Sequence, residues 1–294
     1  MQNFEGKTAV ITGAASGIGL ALAERAAAAR MNVVLADIEE AALEQAVKRI
    51  EERQVRAIGV PANIMVEESV QALAERAIGE FGQVHVLCNN AGVASAGGTG
   101  KGVWELDDRE WDWVMGVNFY GVLYGLRAFI PHMLEHGEAS HIVNTASLAG
   151  LLPGGGTYGV SKHGVLALTE GLQRDLNERG ANIRASVLCP GFVNTNISDA
   201  ERNRPEDMAA GEDLSQTRSL MAAMMGELLS KGKDPAEIAE IVFAAIEAGD
   251  FYILPHPAWD EFVQDRVTQV LARGPLAMTD LEEMQRRRDA GEVF

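Results

Sequence analysis

Short apolar runs alternate with longer stretches of helical spacing along most of the chain. Residues 8–12, 33–36, 55–60, 84–88, 141–145, 183–189 and 251–254 read as strands, bounded by glycine, proline or polar residues. Helical spacing fills 18–30, 39–53, 67–81 and 158–179. In the second of these, Ala42, Leu43, Ala46, Val47 and Ile50 fall on one side. Asp107 with Glu110 predicts a capping box for a further helix running to about His132. Asp234 and Pro235 predict an N-cap and first turn for another, ending near Gly249. Strand and helix alternate without repeat or linker. This pattern predicts one α/β domain over 1–294: a Rossmann-type, doubly wound parallel sheet of about seven strands with helices on both faces. The ligand crevice of such a sheet lies at the carboxyl ends of its strands. Two stretches break the alternation. Residues 196–233 are polar at first and then methionine-rich, and suggest a substrate lid. Residues 255–294 form a C-terminal extension, helical to about Ala272.

Composition narrows the function classes. The 294 residues carry 25 basic and 42 acidic side chains, a net charge of −17. That excess disfavours nucleic acid and anionic membrane surfaces as partners. No stretch is long and apolar enough to span a bilayer, and no signal peptide is evident, so the expected location is cytoplasmic. Cys88 and Cys189 fall in apolar runs and read as buried free thiols of a reducing compartment. The histidines show no metal-ligand spacing, and no metal is expected.

Tyr158 and Lys162 stand four apart in a predicted helix, so they share a face. A free phenol titrates near 10. A neighbouring ammonium favours the phenolate, which makes the pair a candidate acid/base. Ser147 lies a short loop upstream as a hydrogen-bond donor to a carbonyl oxygen. At the other end of the chain, Thr12-Gly13-Ala14-Ala15-Ser16-Gly17-Ile18-Gly19 joins the first strand to the first helix. Glycines there permit a tight turn and close approach of a pyrophosphate to a helix N-terminus. Asp37 closes the second strand, where a carboxylate can bond ribose hydroxyls and repel a 2′-phosphate. It can equally cap the helix that follows. No Lys or Arg stands at Ala14, Ala15, Ser16 or Ile38, so NAD is favoured over NADP.

Further motifs follow in order: Asn89-Asn90-Ala91-Gly92, Val117-Asn118-Phe119-Tyr120-Gly121, Asn144-Thr145-Ala146-Ser147 and Pro190-Gly191-Phe192-Val193-Asn194-Thr195. With the glycine turn and the Tyr158/Lys162 pair, the chain resembles the short-chain dehydrogenase/reductase family from about Lys7 to Leu254. The resemblance implies Tyr158 as general acid/base, with Lys162 lowering its pKa and holding the nicotinamide ribose. It implies that Ser147 orients the substrate oxygen and that Asn118 anchors a proton-relaying water. By the same resemblance Gly13, Ser16, Gly17, Ile18, Gly19, Asp37 and Ile38 bind the cofactor. Asn63 and Ile64 meet the adenine, Asn90, Ala91 and Gly92 lie along the cofactor, and Pro190, Val193 and Thr195 reach the nicotinamide end. Asn63 replaces a common Asp, and its amide oxygen can still accept a hydrogen bond. His85 also departs from the family pattern and reads as structural, solvated or capped.

The implied reaction is hydride transfer between NAD(H) and a secondary alcohol or ketone. The expected pocket wall includes 93–104, 148–156, Phe192 and 196–233. A small-residue loop at 94–100 suggests room, and Met221, Met224 and Met225 form either an adaptable apolar lid or a core-facing stripe. No basic cluster marks a phosphate or acyl-carrier site. The expected small-molecule substrate is therefore bulky, mostly apolar and aromatic. Segments 203–206 and 256–259 are similar to those of bacterial dehydrogenases of aryl-ether benzylic alcohols. The alternatives are a reductase of 3-oxoacyl or steroid-type carbonyls and a non-catalytic NAD-binding regulatory protein. The family resemblance also implies a homodimer or homotetramer, and the apolar helices around 123–129 and 165–172 offer pairing faces.

Overall fold

β-Branched and small apolar residues build seven strands: β1 Thr8–Thr12, β2 Asn32–Asp37, β3 Ala57–Pro61, β4 Val86–Asn89, β5 Ser140–Thr145, β6 Ile183–Leu188 and β7 Tyr252–Ile253. The structure is a computed structural model that describes residues 1, 3–94, 102–154, 156–209, 223, 226–276, 283, 286–287 and 290–292. The strands form one parallel sheet in the order β3-β2-β1-β4-β5-β6-β7. Alternate side chains along each strand enter opposite cores. Ile11, Leu35, Cys88, Val143 and Leu188 join one core, while Val10, Val34, Leu87, Ile142 and Val187 join the other. Helices α1 Gly17–Ala28 and α2 Glu40–Glu51 cover the first face, and α3 Glu67–Phe81 the second. The expected doubly wound sheet is therefore the observed one. Its strand order reverses between β1 and β4. The chain leaves these strands towards opposite faces, and a crevice opens at their carboxyl ends.

The helix after β4 differs from expectation. It is divided into α4 Asp108–Met115, a five-residue π turn Gly116–Tyr120, and α5 Gly121–His136. Asp107 caps α4 by accepting the Arg109 N–H at 2.9 Å. Glu110 does not complete the capping box. Its carboxylate turns inward to Arg204, 2.5 Å away, and both side chains are buried. A buried pair of opposite charges outcompetes a surface cap for the same carboxylate. The remaining helices are α6 Gly156–Glu178, α7 Pro235–Ala248 and α8 Asp260–Ala272. Asp234 caps α7 as expected, through the Ala236 N–H. The loop at 95–101 and Met221, Met224 and Met225 lie outside the described residues. Among the described residues, no helix is long and apolar enough to cross a membrane.

Cys88 and Cys189 are buried free thiols, and burial pushes both up to about 12. His85 is capped rather than solvated. Its Nδ1 accepts the Thr8 N–H at 3.2 Å and its Nε2 faces Glu138 at 3.1 Å. His141, on β5, has Nε2 2.7 Å from Ser186 Oγ. Ser186 gives its own proton to the Asp250 carbonyl, so His141 must donate from Nε2. Burial holds this imidazole neutral, with its pKa pushed down to about 3.

An unfolded histidine titrates near 6.5. Between those values the unfolded chain binds a proton that the native ring refuses. Stability from this group is complete above 6.5 and falls as pH drops towards 3, by ~1.4 kcal/mol per pH unit. Denaturant unfolding at several pH values below 6.5 should show a shallower acid slope in His141→Asn than in the parent. Equal slopes would exclude His141 as the source.

Candidate active site

The turn after β1 places backbone where a side chain would not fit. Gly13 and Gly17 have φ of +65° and +54°. A Cβ on Gly13 would stand 2.8 Å from Ala91 Cα. One on Gly17 would stand 3.0 Å from the Thr195 methyl. Ser16 is the N-cap of α1. The helix N-terminus thus faces the crevice with its N–H donors and favourable dipole. Thr12 anchors the floor: its Oγ1 accepts the N–H groups of Asn90 and Ala91 at 3.0 and 3.1 Å. Asp37 lines the cleft, with Oδ1 accepting the Glu39 N–H and Oδ2 the Ala15 N–H. It stands two residues before Glu39, the N-cap of α2, and does not cap that helix itself.

One continuous cleft of about 610 Å³ runs from this turn across the strand ends. Gly13, Ser16, Gly17, Ile18, Asp37 and Ile38 line its first part, followed by Asn63 and Ile64. Asn90, Ala91 and Gly92 form the middle, and Pro190, Val193 and Thr195 the far side. Ser147, Tyr158 and Lys162 meet at the same end. Two predicted residues stand behind the wall. Gly19 packs against the Gly13 carbonyl and Asn90, leaving no space for a side chain. Asn118, in the π turn, is fully buried and spans two segments. Its Oδ1 accepts the Val93 N–H at 2.8 Å, and its Nδ2 donates to the Val93 carbonyl and to Ser161 Oγ, both at 3.0 Å. Asn63 also uses its amide locally, accepting the Met65 N–H at 3.1 Å.

Lys162 Nζ donates to the Thr145 carbonyl at 2.9 Å and lies 5.6 Å from the centre of the Tyr158 ring. Burial pushes its pKa down to about 8. Burial also raises the Tyr158 phenol above its ordinary value. A hydrogen bond with Ser147 works in the opposite direction, and Cys189 adds to the rise. The lowered phenol expected from the Tyr/Lys spacing is therefore not what the protein alone provides. Desolvation outweighs the neighbours of both groups, and at neutral pH the phenol keeps its proton.

Residues beyond the strand ends complete the wall. Phe192 and Trp259 form a T-shaped pair at 6.0 Å, packed with Leu148 and Leu152. Arg202 and Asn203 reach across the opposite end to Glu39, at 2.7 and 2.9 Å. Arg204 lies over the Trp113 ring at 4.1 Å.

The sequence profile of the short chain dehydrogenase family matches residues 7–206. The chain belongs to that family. A short chain dehydrogenase/reductase from Burkholderia phymatum, solved in complex with NAD, is 42% identical, with a TM-score of 0.90 over 95% of this chain and 99% of that one. A CLA biosynthesis dehydrogenase/reductase of Lactiplantibacillus plantarum is 34% identical over 93% of this chain and 96% of its own length. A C alpha-dehydrogenase of Sphingobium sp. is 30% identical over 99% and 93%.

In this short chain dehydrogenase, Glu39 lines the cleft and Thr12 supports its floor, and the motif reading singled out neither; Arg202 falls in the expected 196–233 wall, but its pairing with Glu39 was not foreseen. Thr12 heads the glycine turn, and a hydroxyl there was a visible signal. The Glu39–Arg202 pair spans 163 residues and has no local signature. Gly19→Ala should overpack the contact with the Gly13 carbonyl and cost about 3 kcal/mol or more. Chemical denaturation checks this, and a variant as stable as the parent would contradict the packing argument.

Proposed function

We propose that the protein is an NAD-linked dehydrogenase of a bulky, aryl-bearing secondary alcohol, running in reverse as a ketone reductase. One observation carries the reading. Ser147, Tyr158 and Lys162 line one end of a cleft whose other end is a glycine turn, a helix N-terminus and Asp37. The cradle fits a dinucleotide. Added Cβ atoms at Gly13 and Gly17 would meet Ala91 and Thr195, and one at Gly92 would stand 3.4 Å from Lys162 Nζ. Gly13, Ser16, Gly17 and Ile18 would hold the pyrophosphate, Asp37 the ribose, and Asn63 and Ile64 the adenine. Asn90, Ala91, Gly92, Pro190, Val193 and Thr195 would hold the nicotinamide half. When bound, NAD supplies the hydride acceptor.

The chain's own residues manage the proton. Tyr158 Oη exchanges it with the substrate oxygen, and the Ser147 hydroxyl orients that oxygen. Lys162 brings positive charge and a ribose contact. Both amide hydrogens of Asn118 are committed to Val93 and Ser161. We therefore assign its side chain to positioning, so that a relay water anchored at this residue would meet its backbone. An apolar wall of Leu148, Leu152, Phe192 and Trp259 supports an aromatic substrate, as does the resemblance of segments 203–206 and 256–259 to those of aryl-ether benzylic alcohol dehydrogenases.

Tyr158→Phe should lose turnover of 1-arylethanols by about 100-fold or more while NAD still binds. Near-parental turnover would end the assignment. Because the phenol is raised, the base form appears only at alkaline pH. Alcohol oxidation should therefore quicken, and ketone reduction slow, as pH rises above neutral. Flat kcat/KM profiles in both directions would contradict this. Asp37→Ala should reduce the NAD/NADP ratio of kcat/KM by about tenfold, equivalent to ~1.4 kcal/mol. An unchanged ratio would remove Asp37 as the basis of NAD preference. Cofactor binding without turnover of aryl alcohols, 3-oxoacyl thioesters or steroids would point to a regulatory binder instead.

A further inference from the structure

The turn after β7 closes the substrate end of the cleft. His256 is buried, and both ring nitrogens are used. Nδ1 accepts the Gly191 N–H at 3.0 Å, and Nε2 faces the Phe192 carbonyl oxygen at 3.0 Å. A donor on one side and an acceptor on the other admit one state, the neutral ring with its proton on Nε2. The Trp259 N–H bonds the His256 carbonyl at 3.0 Å, closing the short turn Pro257–Trp259. The indole then lies between Phe192 and Phe262, with ring centres 6.0 and 5.7 Å away. A Cβ on Gly191 would stand 3.0 Å from Trp259 Nε1 and 3.1 Å from His256 Cγ. Segment 190–192 is thus held tightly against this turn. Trp259, Phe192 and Leu148 line the cleft beside Ser147 and Tyr158.

We propose that Trp259 is a specificity-determining residue, its indole forming with Phe192 an aromatic wall for the flat apolar group on the carbinol carbon, and that His256 is the positioning residue that holds this wall in place. The substrate class rests on the dehydrogenase reading above. A substrate ring touching both side chains gains area burial and edge-to-face contact that a short alkyl group lacks. His256 acts through Gly191 and Phe192. A second proton on its ring would set an N–H against the Gly191 N–H. Among the described residues, Lys233 and Glu237 are the charges that face the ring, and they form an ion pair of 3.2 Å. Burial, helped by Lys233, lowers the pKa of the imidazole, while the Phe192 carbonyl and Glu237 oppose that shift. The clamp therefore holds at neutral pH and releases only in acid.

The test is calorimetric titration of the protein, saturated with NAD so that no ketone is reduced during the measurement, with acetophenone and with 2-butanone. Trp259→Ala should weaken acetophenone binding by about tenfold or more, and 2-butanone by less than about threefold. Trp259→Phe should recover part of the loss, and NAD affinity should stay within about twofold. In the parent, acetophenone affinity should fall only at acid pH, below the ordinary histidine range, while His256→Asn, which keeps an acceptor for Gly191, should not show that fall. His256→Leu should bind acetophenone weakly at every pH. An equal effect of Trp259→Ala on both ketones, no effect, or a parent that binds neither ketone would overturn the proposal. So would an identical pH profile in His256→Asn. A parent that binds acetophenone in this Trp259-dependent way but never reduces it would remove the dehydrogenase reading and leave this inference standing. Reduction of acetophenone unaltered by Trp259→Ala would do the reverse.

Discussion

The site depends on one hydroxyl at the point where the sheet reverses. Thr12 Oγ1 accepts two successive N–H groups, from Asn90 and Ala91, and so ties the end of β1 to the end of β4. Asn90 returns the contact by donating from Nδ2 to the Thr12 carbonyl at 3.1 Å. The two chain directions diverge immediately beyond this knot, one into α1 and the other towards the Asn118 turn. The crevice is the gap they leave. The knot also explains the glycines. With Ala91 held this close, Gly13 has no space for a side chain, and with Asn90 held there, neither has Gly19.

Behind that floor, polar side chains keep the catalytic end in register. Asn118 joins the segment after Gly92 to Ser161, and Ser161 Oγ donates to the Tyr158 carbonyl at 2.7 Å. A chain of buried hydrogen bonds therefore runs from the strand-end loop to the helix that carries Tyr158 and Lys162. Each donor is satisfied within it, which is the condition for burying amides and hydroxyls without a penalty. The π turn Gly116–Tyr120 carries Asn118 within this network, and such turns recur at functional sites for this kind of reason. The same burial sets the electrostatics. Desolvation moves Tyr158 up and Lys162 down, so the pair is poised with the proton on the phenol at neutral pH.

Local signals carried the fold because a parallel sheet writes itself into sequence as short apolar runs separated by amphipathic helices. The 67–81 helix has the same limits in sequence and structure, since Glu67 opens its first turn and Gly82, at φ +78°, ends it. The glycine turn and the Tyr158/Lys162 pair were equally legible, because their chemistry lies within a few consecutive residues. What stayed hidden was set by partners far along the chain. Glu110 looked like a capping-box residue until Arg204, 94 residues away, claimed its carboxylate. The spacing of Tyr158 and Lys162 put both on one helix face but did not show the desolvation that dominates the shifts of both groups, because burial is a property of the assembled site.

The two ends of the cleft are built on different principles, and this bears on how such a protein can change substrate. The end proposed for the dinucleotide is built largely of strand ends, backbone N–H groups and glycines, so much of it is also part of the fold. The segments outside the sheet are held instead by side-chain pairs: Arg204 with Glu110, His256 with the Gly191–Phe192 backbone, Arg266 with the Leu151 carbonyl and, at the end opposite Trp259, Arg202 with Glu39. Replacing Trp259 or Leu152 alters the wall without touching the Thr12 knot or the glycine turn. Substrate preference can therefore drift while cofactor geometry is kept. Glu39 couples the two kinds of segment, since it lines the cleft beside Asp37 and Ile38 while anchoring Arg202 and Asn203. Strand-end and added segments thus share one carboxylate, and a change in it must be felt in both.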